Sequence, residues 1–178
     1  MTGILFRLLI FTFSLGFLTV FQTNEASAQV LEQTFSENLA DFSISTPNAK
    51  WFLAPRSVAP GPVRATLRFQ TPVDKFSPNA TVRVTPLAQK DATAEKIVEQ
   101  DLKSLPASIK ILEKGPVEQE PLKGYQVKFI DEKAQIQFLQ WIFIAKGKSF
   151  VITCAAKVSS APRFEEDFKK ILTSFKIR

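Results

Sequence analysis

The side chains able to do chemistry in this 178-residue sequence are serine, cysteine, lysine, tyrosine and the carboxylates, because histidine is absent. That absence removes Ser-His-Asp and Cys-His nucleophilic catalysis, histidine-ligated zinc and the usual near-neutral proton shuttle. Cys154 is the single cysteine, so no intramolecular disulfide can form. It stands at even offsets from Phe150, Ile152 and Ala156, an apolar row that predicts a buried, inert thiol rather than a nucleophile with a basic neighbour. Glu165-Glu166-Asp167 invites a metal or acid-base reading, but consecutive helical residues splay by about 100° each and cannot converge on one ion. A charge bias in the first turn of a helix accounts for them instead. Asp131-Glu132 reads as a solvated hairpin turn. The serines lie in no Gly-x-Ser-x-Gly or supported Ser-x-x-Lys motif, and the six glycines build no phosphate loop. The residues therefore carry no catalytic, metal or cofactor signature, and a non-enzymatic role is expected. An enzyme working through Asp, Glu, Lys and Tyr125 would need carboxylates brought together from distant positions.

One segment offers recognition chemistry. Trp51 and Phe52 precede a proline-rich stretch (Pro55, Pro60, Pro62) with Arg56 close by. Tryptophan and arginine dominate interface hot spots. The plainer reading of Trp51 is a plug closing one end of the core. The functional alternative makes the loop from Trp51 to Pro62 a partner surface, with Trp51, Phe52 and Arg56 as its contacts. Trp141, inside a long apolar run, reads as sheet core.

These residues need elements to hold them. Residues 29–41 are weakly patterned, either a short helix or a frayed arm. Phe42 to Ser45, Arg64 to Phe69 and Ala80 to Leu87 alternate apolar and polar residues and predict strands. In the second of these, Arg64, Thr66 and Arg68 fall on the side opposite Ala65, Leu67 and Phe69. The prolines between Asn48 and Val63 exclude a central strand or a helix there and predict a surface excursion. Ala94, Ile97, Val98, Leu102 and Leu105 fall on one face of a helix from about Thr93 to Leu105, capped by Asp91 or Thr93 and ended by Pro106. A short strand at Ile109 to Leu112 and a break at Gly115-Pro116 follow. Strands at Tyr125–Ile130, Ala134–Ala145 and Phe150–Lys157 then form a meander, with a tight Lys146-Gly147 turn and a bulge, or burial on both faces, at Phe138-Leu139. Phe164, Phe168, Ile171, Leu172 and Phe175 make one stripe of a final helix, with Ser159 or Ser160 as its cap and Pro162 in its first turn. The expected fold is α+β: a mostly antiparallel sheet of six to seven strands packed with two main helices, an α/β sandwich.

The N-terminus suggests a compartment. Arg7 leads an apolar run from Leu8 to Phe21, interrupted by Thr12, Ser14, Gly16 and Thr19, and Ala26-Ser27-Ala28 supplies a small-x-small site. These are the parts of a secretory signal peptide, and the run is short of the roughly twenty residues a membrane span needs. Residues 1–28 are expected to be a leader cleaved after Ala28, and 29–178 a single exported, periplasmic or secreted domain. No cysteine follows the site, so lipid anchoring is not expected. Arg7 and Glu25 cancel, and the domain keeps the net charge of +6, spread singly along the chain. Diffuse basicity favours anionic surfaces, whereas a nucleic-acid protein would cluster its charges, so nucleic acid is not an expected partner.

The FSISTP strand, the Trp-Phe segment (Lys50-Trp51-Phe52-Leu53-Ala54-Pro55), the Thr93–Leu105 helix, the run through GYQVKFID and QIQFLQWIFIAKGKSFVITCAA, and the closing helix ending in Ser174-Phe175 resemble the superfamily of PsbP and DcrB-like proteins. The resemblance covers nearly all of residues 29–178 and implies a PsbP-like α/β sandwich without cofactors. It also implies a non-enzymatic binding or assembly role at the cell envelope, with an envelope or membrane-complex protein as partner; the positive charge adds an expected weak attraction to anionic membrane surfaces. DcrB-like proteins are often lipid-anchored, which this chain's lack of a suitable cysteine puts in doubt. No functional residue carries over. Most of the seventeen phenylalanines lie beyond residue 28, which leaves a carrier of small apolar ligands or lipids as the alternative.

Overall fold

Strands that alternate in sequence need partners, and the order in which they find them decides what this chain displays. The computed structural model describes residues 34–37, 42–55, 61–88 and 91–178; the leader expected at 1–28 lies outside them. Strands β1 (Thr34–Glu37) and β2 (Phe42–Ser45) pair antiparallel. They are followed by β3 (Trp51–Leu53), β4 (Val63–Phe69), β5 (Asn79–Pro86), helix α1 (Ala94–Leu102) and β6 (Ile109–Gln119). Then come β7 (Leu122–Asp131), β8 (Ile136–Ala145), β9 (Lys148–Lys157), helix α2 (Ala161–Ser174) and β10 (Lys176–Ile177). Seven strands form one antiparallel sheet in the order β3-β4-β5-β9-β8-β7-β6, and β1-β2-β10 form a small second sheet. This is the expected α+β sandwich.

The sheet is buried from both sides by different elements. On one side, Leu67, Phe69, Ala80, Val82, Phe143, Phe150, Ile152 and Cys154 meet the stripe Phe164, Phe168, Ile171, Leu172 and Phe175, together with Phe42 and Ile44 of the small sheet. Five large apolar side chains removed from water are worth on the order of 10 kcal/mol gross, much of it offset by the entropy of ordering them. On the other side, Ala94 and Val98 of α1 cover Tyr125, Val127, Phe129 and Ile142 of β7 and β8.

Several local expectations change. Part of the stretch read as helix or frayed arm is a strand, β1, because β2 offers it an edge. Trp51–Leu53, expected in a surface excursion, is a short strand at the open edge of the large sheet, where the following prolines cost no ladder bonds. Thr93 caps α1, its side chain accepting from the Lys96 N–H, but the helix stops at Leu102, short of Pro106. Strand β6 runs through Gly115-Pro116 to Gln119, since an edge strand tolerates a missing donor. The register of β8 is unbroken from Ile136 to Ala145 on both sides, so Phe138-Leu139 is not a bulge but a stretch half-buried on both faces. The irregularities sit instead at Val63/Ala65 and Ile111/Glu113. Lys146 (φ 49°) and Gly147 (φ 67°) make the expected tight turn. Asp131 is not solvated: it is buried, and its Oδ1 accepts from the Lys133 and Ala134 N–H groups at 3.0 and 3.2 Å, which closes the β7–β8 turn.

Gly124 is the one described glycine that a side chain would crowd. A Cβ there would stand 2.3 Å from the Ile142 carbonyl oxygen and 2.6 Å from the Phe143 ring. The backbone oxygen cannot step aside. Gly124→Ala should therefore destabilise the fold by about 1–3 kcal/mol, read as a lower urea midpoint at unchanged slope.

Candidate binding face

Trp51 is held in the core. It is 2% exposed and packs edge-to-face on Phe69, Phe164 and Phe168, with ring centroids 5.6, 6.3 and 6.0 Å away. Its Nε1–H donates to Asp167 Oδ2 at 2.8 Å, and the Asn48 side-chain amide donates to Oδ1 of the same carboxylate at 2.8 Å. The plug reading is the one this geometry matches; the recognition surface cannot use Trp51, whose ring has no face left for a partner. Phe52 points to the opposite side of the sheet, level with Arg68, and is half-buried. Arg56 lies outside the described residues. Because α2 begins at Ala161, Glu165, Glu166 and Asp167 fall beyond the first turn and do not serve its dipole. Glu165 pairs with Lys128 at 3.1 Å, and Asp167 is the polar anchor of Trp51. Trp51→Phe keeps most of the packing but leaves a half-buried carboxylate short of a donor. A loss of about 1–3 kcal/mol is expected, with Asp167→Asn losing less than Trp51→Phe because an amide oxygen still accepts; chemical denaturation of the two variants measures both.

The side of the sheet that carries α1 presents a polar surface where that helix stops. Register places Thr66, Thr81, Thr153 and Gln140 in one row across β4, β5, β9 and β8. Gln140 Nε2–H donates to Thr153 Oγ1 at 3.0 Å within that row. Arg68 flanks the row on one side and Arg83 on the other, and Arg64, the extra residue of the β4 irregularity, adjoins Arg83. Next to Arg83, Thr85 stands opposite Ser149. No Asp or Glu occupies this side of β4, β5, β8 or β9. The sequence shows the polar sides of β4 and β5 separately; their joint surface exists only once β4-β5-β9-β8 pair in that order.

Asp101 of α1 reaches this surface. Burial holds its carboxyl above the usual carboxylate range, and the Arg83 guanidinium partly offsets that. A raised folded pKa means the native state binds the proton more tightly, so this group costs stability above its folded pKa, and the cost disappears as pH falls below the ordinary aspartate value. Asp101→Asn should therefore raise the thermal midpoint at neutral pH, and the gain should vanish in acid; paired melting curves across that range check the sign.

Cys154 is fully buried on the α2 side, and burial pushes its thiol pKa up, as expected of an inert structural residue. Two open clefts flank α2: one of about 370 Å³ between Ser45–Pro47 and Lys170, Ser174 and Lys176, the other of about 540 Å³ between Gln70–Asp74, Lys50 and Arg163. Among the described residues, no helix is long and apolar enough to cross a membrane.

No protein-family model matches the chain, and no curated protein does. Solved structures do. Cyanobacterial PsbP (CyanoP) from Synechocystis sp. PCC 6803 superposes with a TM-score of 0.61 at 12% identity, covering 88% of this chain and 98% of its own. LpqN of Mycobacterium tuberculosis, described as involved in cell envelope biogenesis, gives 0.56 at 16% identity over 84% and 92%. A protein of unknown function from Pseudomonas aeruginosa, described as a putative regulator, gives 0.56 at 11% identity over 83% and 97%. Three superpositions over nearly the whole length of each matched structure leave one conclusion about architecture: this chain has a PsbP-like fold.

Proposed function

We propose that the chain is an exported, non-enzymatic binding or assembly protein of the cell envelope, acting in the periplasm after its leader is cleaved behind Ala28. The observation that carries this reading is the row Thr66, Thr81, Thr153 and Gln140 with its flanking arginines, displayed by four strands in register. A surface built on paired strands is ordered before its partner arrives, so little conformational entropy is lost on docking. The net charge of +6 would steer an acidic envelope partner or an anionic membrane surface toward it. The fold shared with LpqN and CyanoP adds support at the level of architecture.

The other readings find less support. A carrier of apolar ligands needs interior room, and here Phe42, Phe143, Phe150 and Phe175 fill the centre with ring centroids 5.6 to 6.4 Å apart. An enzyme needs converging carboxylates, but Asp131 closes a turn, Asp167 holds Trp51 and Asn48, and Asp101 faces Arg83.

Crosslinking of the protein in its native envelope fraction, followed by mass spectrometry, tests the proposal. One reproducible partner joined through β4 or β5, with capture falling sharply between low and moderate salt, is the expected result. No partner above background, or capture indifferent to salt, would count against it.

A further inference from the structure

We infer that the open trough between helix α2 and strands β6, β7 and β8 is a binding site for a neutral saccharide chain. The inference goes beyond the binding reading above, because this trough lies on the side of the sheet opposite the threonine row and needs no envelope protein as partner.

The trough follows from where α2 lies. That helix packs over β9 and β2, so β6 and β7, at the far end of the sheet, lie beside it rather than beneath it. Two contacts tie these strands to the helix and close the ends of the trough. Lys128 of β7 pairs with Glu165 at 3.1 Å, and the Gln119 side-chain amide of β6 donates to the Thr173 and Phe175 carbonyls at 2.7 Å each. From Lys128 to Leu122, the residue opposite Gln119, β7 runs about 20 Å. Register places Trp141, Gln126 and Gly115 in one row across this stretch, and alternation sets Leu139 beside Trp141 and Val117 beside Gly115. Leu139, Trp141 and Val117 border the main core without being buried in it. The floor is open at Gly115, where an added Cβ would meet no atom within 4 Å.

Two polar atoms of the trough have unmet hydrogen-bonding capacity: the Trp141 indole N–H and the Gln119 side-chain oxygen. Proteins rarely leave such groups unpaired without a use. Gln126, opposite Trp141, turns its amide to Glu113 instead, at 3.0 Å in an exposed hydrogen bond. The indole N–H is closed to bulk water, and a ligand reaches it by displacing that exposed bond. One unmet group is a donor and the other an acceptor, so a hydrocarbon satisfies neither and a metal ion is repelled by the first. An anion is disfavoured, because Lys128 is already paired with Glu165 and stands opposite Glu113. A hydroxyl both accepts and donates, which meets both groups. A sugar ring adds an apolar face to lie against Trp141, Leu139 and Val117, the mixture of apolar lining and a few placed polar groups that ligand sites use.

Nuclear magnetic resonance of the purified protein, titrated with chitotetraose and with maltotetraose, tests the site. The chain has two tryptophans, so the indole region holds its own control. Saturable shifts of the Trp141 Nε1–H and the Gln119 side-chain amide are expected with at least one of the sugars, while the Trp51 Nε1–H, held by Asp167, stays in place. Trp141→Phe keeps an apolar ring but removes the donor, and should weaken binding about tenfold. Gly115→Leu fills the open floor and should abolish binding without lowering the thermal midpoint, which keeps the test open if Trp141→Phe fails to fold. No shift at Trp141 with either sugar, binding untouched by Gly115→Leu, or tighter binding of the peptide acetyl-tetraalanine amide than of both sugars would overturn the inference. The envelope crosslink reads the other side of the sheet. A captured partner without sugar binding removes only this inference, and sugar binding without a captured partner removes only the assembly reading.

Discussion

The burial of one aromatic stripe organises this molecule. Phe164, Phe168, Ile171, Leu172 and Phe175 must leave water together, and the apolar side of β4, β5, β9 and β8 is the surface that receives them. That contact carries its own polar lock. Trp51, brought to the sheet edge by pairing with β4, meets Asp167 from the helix, so that edge strand and helix fix each other through a single hydrogen bond surrounded by rings. The small sheet completes the closure, with Ser174 hydroxyl accepting from the Ser45 N–H at 3.0 Å and β10 pairing with β2.

Once that side is closed, the opposite side has fewer obligations. Helix α1 is short, and its buried residues, Ala94 and Val98, cover only the β7 and β8 part of the sheet. Apolar side chains beneath it (Val127, Phe129, Ile142) give way across β9 to threonines and arginines on β5 and β4. The same strands therefore build a dry core on one side and a polar display on the other, since a period of two assigns alternate residues to opposite faces. The edges are managed too. Strand β6 ends the sheet with lysines, a proline and an irregularity at Ile111/Glu113, and β3 is only three residues long. Such edges resist pairing with other chains.

The carboxylates that look chemical in sequence hold structure: Asp131 ties a hairpin and Asp167 ties an edge strand. The thiol is sealed beneath α2. What the α1 side displays instead is a row of threonines and a glutamine with arginines beside it.

Periodicity made most of the architecture legible. The α2 stripe, the β4 and β5 alternation, the Lys146-Gly147 turn and the inward row through Cys154 are local patterns, because each is dictated by the fixed geometry of a helix or strand. So was the identity of the polar residues on β4. Tertiary structure alone decided which strands became neighbours, and with that three things local pattern does not contain. Trp51 became core because a carboxylate 116 positions away came to meet it. Gly115-Pro116 stayed in a strand because β6 is an edge. Thr66, Thr81, Thr153 and Gln140 became one row because β4, β5, β9 and β8 lie side by side. A sequence encodes the face on which each side chain stands, but long-range pairing, set by the burial of the whole core, selects which faces adjoin.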